Sequence, residues 1–126
     1  MIYGIGIDVI EIQRIEQAIA RSGQRFLDRL YTEEEQAYCR VKRPPYACYA
    51  VRFAAKEAFL KACGTGLRQH MRWRDIEVHR DALGKPGLRL YGYLHECCVD
   101  QGITHIHLSL SHSLAYAVAQ VILETV

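Results

Sequence analysis

Residues 46–63 have the sequence YACYAVRFAAKEAFLKAC, and Gly64 follows them. The run contains no proline or glycine, and a glycine directly after a helical segment is a common helix end because it readily adopts a left-handed backbone. The sequence therefore predicts one long helix from Tyr46 to Cys63. Only four of its residues are charged, so most of its circumference is expected to be buried. These four are Arg52, Lys56, Glu57 and Lys61.

The segments on either side of this helix predict an α+β protein. Residues 2–7 form a short apolar run that indicates a buried strand ending at Asp8, and helices are expected over 11–21 and from Thr32 to about Arg40. After the long helix we expect strands at 75–80 and 88–90, a helix at 93–101, and strands at 104–112 and 114–123. The order β-α-α-α-β-β-α-β-β describes a single domain, residues 1–126, with a small antiparallel sheet packed on helices.

The composition excludes several classes of protein. A chain of 126 residues with 50% apolar and 24% charged residues is typical of one globular domain. A net charge of +2 does not indicate nucleic acid as the partner, and no apolar run approaches the roughly 20 residues that span a bilayer. The first residues lack the basic region and cleavage site of a signal peptide. The odd number of cysteines, five, indicates reduced thiols in a cytoplasmic protein.

Two carboxylates are candidate ligands for a hard cation. An acidic residue after a strand, such as Asp8, most often belongs to a loop or cap. Glu57 lies one helical turn before Lys61, a spacing typical of an exposed ion pair, but a charge on so apolar a helix needs a partner or a function. Two carboxylates, completed by waters and substrate phosphates, are a usual way of holding Mg²⁺. The spacing alone leaves both interpretations open.

Four arginines form a possible binding stripe. They would lie on one face of the first helix if that helix continued past Gly23. Such a stripe is either a solvated face or a docking surface for an acidic partner. The four are Arg14, Arg21, Arg25 and Arg29.

Other catalytic and binding motifs are weaker. The segment Gly64-Thr65-Gly66 lacks the Walker pattern of a phosphate loop and follows a helix, which favours a helix cap. The serines around His112 lack a nucleophile elbow, and the cysteines and histidines lack zinc-ligand spacing.

Three segments combine these features in one pattern: GIGIDVIEI at 4–12 with Arg14, RFAAKEAFLKACGTG at 52–66, and HLSLSHS at 107–113. Together they resemble the bacterial holo-acyl-carrier-protein synthases, the small 4'-phosphopantetheinyl transferases. The turn Gly84-Lys85-Pro86 is similar as well, so the resemblance extends over essentially the whole chain.

The resemblance implies a reaction and roles for the residues. The phosphopantetheine arm of coenzyme A would be moved to a serine of apo-acyl carrier protein, with release of adenosine 3',5'-bisphosphate. Asp8 and Glu57 match the family's Mg²⁺ ligands, and Lys61 would reach a phosphate and stabilise the leaving group. The general base would be Glu57 or a metal-bound water.

Further residues take binding roles by the same resemblance. The coenzyme contacts would be Arg52, Lys61, Gly64, Lys85, Pro86 and His112. Arg14, Arg21 and Arg25 resemble the basic helix that docks the acidic carrier protein. Such synthases form homotrimers with sites between subunits, and the Arg14 stripe would come from the neighbour of the chain that supplies Asp8, Glu57 and Lys61. The large apolar surface of the helices would then belong to the assembly.

Two other functions remain as alternatives. One is a non-catalytic module that binds coenzyme A or the carrier protein, although such a module has no need for both carboxylates and Lys61. The other is a small RNA-binding domain that uses the arginines around Trp73, for which no recognisable motif is present.

Overall fold

The computed structural model describes residues 1–68 and 70–126. Its helices and strands follow the predicted order, with one additional short helix after the first. In chain order they are β1 (Ile2–Glu11), α1 (Ile12–Ser22), α2 (Gln24–Leu30), α3 (Glu33–Arg40), α4 (Tyr46–Cys63), β2 (Ile76–Arg80), β3 (Pro86–Leu90), α5 (Gly92–Asp100), β4 (Ile103–His112) and β5 (Tyr116–Thr125). None of the helices in these two ranges is long and apolar enough to cross a bilayer.

The strands form two antiparallel sheets. β1, β5 and β4 make a three-stranded sheet in that order, and β2 pairs with β3 as a separate hairpin. Helix α4 packs across one face of the larger sheet, where β5 contributes alternate buried residues such as Val121 and Leu123. Leu108 and Leu110 of β4 lie on this same face, as their alternation with serine and histidine predicted.

The backbone of β1 lies directly against the backbone of α4. A Cβ atom added to Gly4 would overlap the carbonyl oxygen of Ala62, and one added to Gly6 would overlap that of Ala58. Only glycine allows so close an approach. Because alternate strand residues share a face, Asp8 is the next residue of β1 that points towards α4.

Two local signals in the sequence are confirmed. Thr32 and Glu35 form both hydrogen bonds of the capping box at the start of α3. Gly64 ends α4 in the left-handed conformation, with φ 79°.

The first strand and first helix differ from the prediction. β1 does not end at Asp8 but continues to Glu11, because its pairing with β5 continues as far as Tyr116. The first helix ends at Gly23, whose φ of 54° breaks the helical path, and α2 begins at the next residue. The arginines on either side of Gly23 therefore do not share one continuous helix face.

The apolar surface of α4 is covered within the chain itself. Its buried residues contact the larger sheet, α1 and α3, so the long helix is not the surface left for other subunits. Uncovered apolar residues lie instead on the outer face of β1, where Ile5, Ile7 and Val9 are 55%, 55% and 59% exposed.

Two of the five cysteines are joined, contrary to the expectation that all are reduced. Cys39 of α3 and Cys48 of α4 form a disulfide, since the packing of these helices brings their Cα atoms to 5.5 Å. Such proximity cannot be inferred from cysteine count. Cys63, Cys97 and Cys98 are free thiols.

Candidate functional site

Asp8 and Glu57 line one cavity of about 510 Å³ between β1, α1 and α4. Both side chains are half-buried. Burial, and then the neighbouring Asp8 carboxylate, raise the pKa of Glu57 above its usual value, whereas Lys61 acts in the opposite direction. The structure thus brings together the two predicted carboxylates in one cavity.

The donor set fits Mg²⁺ rather than a metal that needs a full protein cage. Mg²⁺ is usually bound by one or two carboxylates and retains several waters for contact with phosphates. Within residues 1–68 and 70–126, no group of three or more His, Cys, Asp or Glu side chains is arranged to hold a metal. Asp8 and Glu57 would supply two carboxylates and leave the other coordination positions to water and phosphate, which fits such a Mg²⁺ site.

Lys61 binds the other carboxylate of the pair. Its Nζ lies 3.0 Å from Oδ1 of Asp8 and donates a second bond of 3.0 Å to the carbonyl oxygen of Ile7. The helical spacing suggested a surface ion pair between Glu57 and Lys61. Lys61 instead forms its ion pair with Asp8, across the junction of β1 and α4. The side chain is 54% exposed, so its ammonium can also reach a ligand.

Glu57 also lines a second cavity, of about 470 Å³, on the other side of its carboxylate. Lys61, Trp73 and the residues 64–67 after α4 form the rest of this cavity. Gly64 is thus both the helix cap and part of the cavity wall. Trp73 packs against Phe53 with ring centroids 5.5 Å apart, so it is not a free stacking surface of the kind an RNA-binding domain uses.

The predicted basic stripe is only partly brought to this site. Arg14 and Arg21 of α1 line the same cavity as Asp8 and Glu57, whereas Arg25 lies beyond Gly23 on α2. All three side chains are exposed, and none forms an ion pair with another described residue. Within one chain, Arg14 thus lies beside Asp8 and Glu57; the expected division of stripe and carboxylates between neighbouring subunits stays a prediction.

Arg52 and His112 meet in a different cavity, of about 420 Å³. Lys42, Arg43 and Arg80 are also in its wall, and no acidic side chain is among the described residues that line it. Arg52 is 2% exposed and its Nε has no hydrogen-bond partner. Burial is the main cause that lowers the pKa of this guanidinium; the charge of Glu35 opposes this shift, and Arg80 adds to it. A cavity wall with four cationic side chains and no acidic one among the described residues indicates a site for an anion.

The Gly84–Pro86 turn is connected to this cationic cavity through Arg80. Arg80 pairs with Pro86 across the β2–β3 hairpin, and its Nη1 donates a 2.7 Å bond to the carbonyl oxygen of Gly84. The structure gives the Lys85 side chain no contact with Arg52 or His112 within hydrogen-bond range. Lys85 is held through its backbone, whose N–H donates to Oδ1 of Asp81.

Five of the lining residues were given no role in these cavities from the sequence, and Trp73 was named only in the RNA-binding alternative. Arg80 lies in an ordinary strand, so nothing local marks it. Tyr38 and Trp73 are single aromatic residues in a helix and a turn. Lys42 and Arg43 did leave a signal, since two adjacent cations precede the Pro44-Pro45 break.

The predicted coenzyme contacts form two groups on one chain. Arg52 and Glu57 are five positions apart on α4, which places them about 140° apart around the helix. The cavity at Arg52 shares no lining residue with either cavity at Glu57. One chain therefore presents an anion site and a carboxylate site that face different directions.

The chain is similar in sequence to a family of known proteins. The family model for the 4'-phosphopantetheinyl transferase superfamily matches residues 4–120. The chain is 49% identical over 126 residues to the holo-[acyl-carrier-protein] synthase of Geobacter metallireducens, covering 100% of both proteins. It is 51% identical over 124 residues to that of Trichlorobacter lovleyi, covering 98% of both.

Solved structures are similar as well. The holo-[acyl-carrier-protein] synthase of Neisseria meningitidis has a TM-score of 0.92 at 40% identity, with 99% of this chain and 100% of that chain covered. The synthase of Bacillus anthracis in complex with CoA (3',5'-ADP) has a TM-score of 0.81 at 41% identity, with 100% and 99% covered.

Proposed function

This chain belongs to the 4'-phosphopantetheinyl transferase superfamily, and on that premise we propose that it transfers the phosphopantetheine arm of coenzyme A to a serine of apo-acyl carrier protein. The arm's phosphorus is attacked by the serine hydroxyl, and adenosine 3',5'-bisphosphate leaves. The observation that carries the proposal is the position of Glu57. It lies between the cavity with Asp8 and the arginines and the cavity with Lys61 and Gly64.

Asp8 and Glu57 are the residues that would hold Mg²⁺. When bound, this ion would neutralise negative charge on the pyrophosphate oxygens of the coenzyme. Glu57 is also the carboxylate of this chain that is placed to accept the serine proton, directly or through a water. Asp8 keeps Lys61 in place across the β1–α4 junction by the 3.0 Å ion pair.

Lys61 supplies positive charge on the leaving-group side. Its ammonium is exposed towards the cavity formed by the residues after α4, so it can donate to a phosphate of the departing nucleotide. Arg52 and His112 would bind the far end of the same nucleotide, with the 3'-phosphate in the cationic cavity. Lys85 and Pro86 would contact the coenzyme from the neighbouring hairpin.

The separation of the two groups supports a site built from two chains. A coenzyme cannot reach both the Arg52 cavity and the Glu57 cavity of one chain by a direct path, because the two open about 140° apart around α4. In a homotrimer, Arg52 of one subunit would face Glu57 of the next. The exposed apolar face at Ile5, Ile7 and Val9 is the surface that such an assembly would cover.

The carrier protein would dock on Arg14, Arg21 and Arg25. Arg14 and Arg21 lie at the mouth of the cavity that contains the two carboxylates, so an acidic helix bound there would place its serine close to Glu57. Arg25 extends the positive surface onto α2.

One assay tests the proposal against the non-catalytic alternative. Apo-acyl carrier protein, coenzyme A and Mg²⁺ are incubated with the protein, and the carrier is weighed by mass spectrometry. We expect a gain of one phosphopantetheine group. A protein that binds coenzyme A by calorimetry yet leaves the carrier mass unchanged would be a binding module rather than a transferase.

A further inference from the structure

The ring of Tyr38 lies among three cations from three different parts of the fold. Nζ of Lys42, in the turn after α3, is 4.6 Å from the ring centroid. Cζ of Arg52, on α4, is also 4.6 Å from it, and Cζ of Arg80, on β2, is 5.9 Å from it. All four side chains line the cationic cavity that contains His112.

These cations repel one another, so something must hold them together. No acidic side chain is among the described residues of that cavity wall; the buried Glu35 attracts Arg52, and Glu34 lines the adjoining cavity. The face of an aromatic ring carries negative potential and attracts ammonium and guanidinium groups within about 6 Å. The Tyr38 hydroxyl forms no hydrogen bond with another described residue, so the contact is made by the ring alone.

We propose that Tyr38 is a positioning residue that gathers Lys42, Arg52 and Arg80 into a site for a phosphate monoester, the 3'-phosphate of the nucleotide substrate. The inference rests on the proposed function, which brings such a nucleotide to this cavity. The ring attracts the cations without taking up their N–H groups as a carboxylate would. Apart from Nη1 of Arg52, which donates to Cys48, and Nη1 of Arg80, which donates to Gly84, these groups can donate to phosphate oxygens.

Two nucleotides that differ only in the 3'-phosphate provide the test. Binding of adenosine 3',5'-bisphosphate and of adenosine 5'-monophosphate is measured by calorimetry for the wild type and three variants. Tyr38→Leu removes the ring and Tyr38→Phe retains it. Tyr93→Leu is the matched control, because Tyr93 is 44% exposed, similar to the 39% of Tyr38, and lies on α5 outside the cationic cavity.

We expect Tyr38→Leu to weaken binding of the bisphosphate about tenfold and binding of the monophosphate less than twofold. Tyr38→Phe and Tyr93→Leu should both bind the bisphosphate as the wild type does. In the transferase assay, Tyr38→Leu should raise the KM for coenzyme A and leave kcat unchanged. Equal losses for both nucleotides, an equal loss in Tyr38→Phe, or no loss in Tyr38→Leu would each overturn the inference.

Its failure can be distinguished from failure of the proposed function. A wild type that modifies the carrier protein but does not prefer the bisphosphate overturns only the role of Tyr38. A wild type that prefers the bisphosphate, loses this preference in Tyr38→Leu and never modifies the carrier overturns only the transferase.

Discussion

The ammonium of Lys56 lies 2.8 Å from Oε1 of Glu35, and neither side chain has any exposed surface. Lys56 also donates to the carbonyl oxygens of Leu30 and Trp73, while Oε2 of Glu35 accepts the backbone N–H of Val78. The pair therefore connects α2, α3, α4 and β2 beneath the candidate site. Because Lys56 directly precedes Glu57, its contacts also hold in place the turn of α4 that carries Glu57, the candidate metal ligand.

Breaking this pair on one side should destabilise the protein strongly. Lys56→Met leaves the Glu35 charge buried without a partner, and Glu35→Gln does the same to Lys56, so each should lower the free energy of unfolding by about 3–5 kcal/mol. Urea denaturation at neutral pH measures the loss. The double variant Lys56→Met/Glu35→Gln should lose less than the sum of the two single losses, and strict additivity would show that the two charges do not interact.

Asp8→Asn and Glu57→Gln should abolish turnover without unfolding the protein. Each keeps the size of the side chain and removes one anionic ligand, so kcat should fall by orders of magnitude in either variant. Excess Mg²⁺ or Mn²⁺ should partly rescue the single variants, which retain one carboxylate, but not the double variant. Turnover is measured against metal concentration for all four proteins.

The melting temperature is the control for those variants. In the presence of a chelator, Glu57→Gln should be at least as stable as the wild type, because it removes one of two neighbouring anions. Glu57→Gln with wild-type turnover at limiting Mg²⁺ would exclude this residue from the site.

Charge reversal at the arginines should affect use of the carrier protein selectively. The variant Arg14→Glu/Arg21→Glu/Arg25→Glu should raise the KM for the carrier about tenfold or more at low salt, since like charges would then meet, and should leave coenzyme binding unchanged. Salt should slow the wild-type reaction by screening the same contact. Arg40→Glu, on the exposed end of α3, is the control. A normal carrier KM in the triple variant would identify the arginines as a solvated surface.

Ile7→Glu should dissociate the assembly and remove activity with it. If another subunit covered the apolar face of β1, a charged residue at its centre would lose its hydration without gaining a partner, which costs free energy. Light scattering should show a trimer for the wild type and a monomer for the variant. Leu83→Glu, at an apolar residue of the β2–β3 turn that is 96% exposed against 55% for Ile7, should stay trimeric. A monomeric wild type with full activity would contradict the two-chain site.

The sequence predicted what depends on local pattern. The capping box at Thr32, the left-handed glycine at 64 and the alternation along β4 are each specified by neighbouring residues, and all three are confirmed. The end of β1 could not be predicted this way, because it depends on how far β5 continues to pair with it. A charged residue in mid-strand is tolerated at Asp8 since an open cavity and Lys61 lie beside it.

The site was predicted less completely than the fold. Asp8, Glu57 and Lys61 were predicted from their residue types and from the family resemblance, and the structure brings their side chains together. Arg80 and Tyr38 belong to the cationic cavity only because β2 and α3 pack beside α4. The Cys39–Cys48 bond has the same origin. The spacing of apolar residues along the chain gives no information about such contacts between segments that are distant in sequence.

Gly4 and Gly6 have no functional group, yet they determine how close β1, which carries Asp8, lies to α4, which carries Glu57. Because no side chain separates β1 from α4 there, the distance from Asp8 to Glu57 cannot be corrected by repacking of neighbouring side chains. Even alanine at either position would push the strand from the helix and with it one carboxylate from the other.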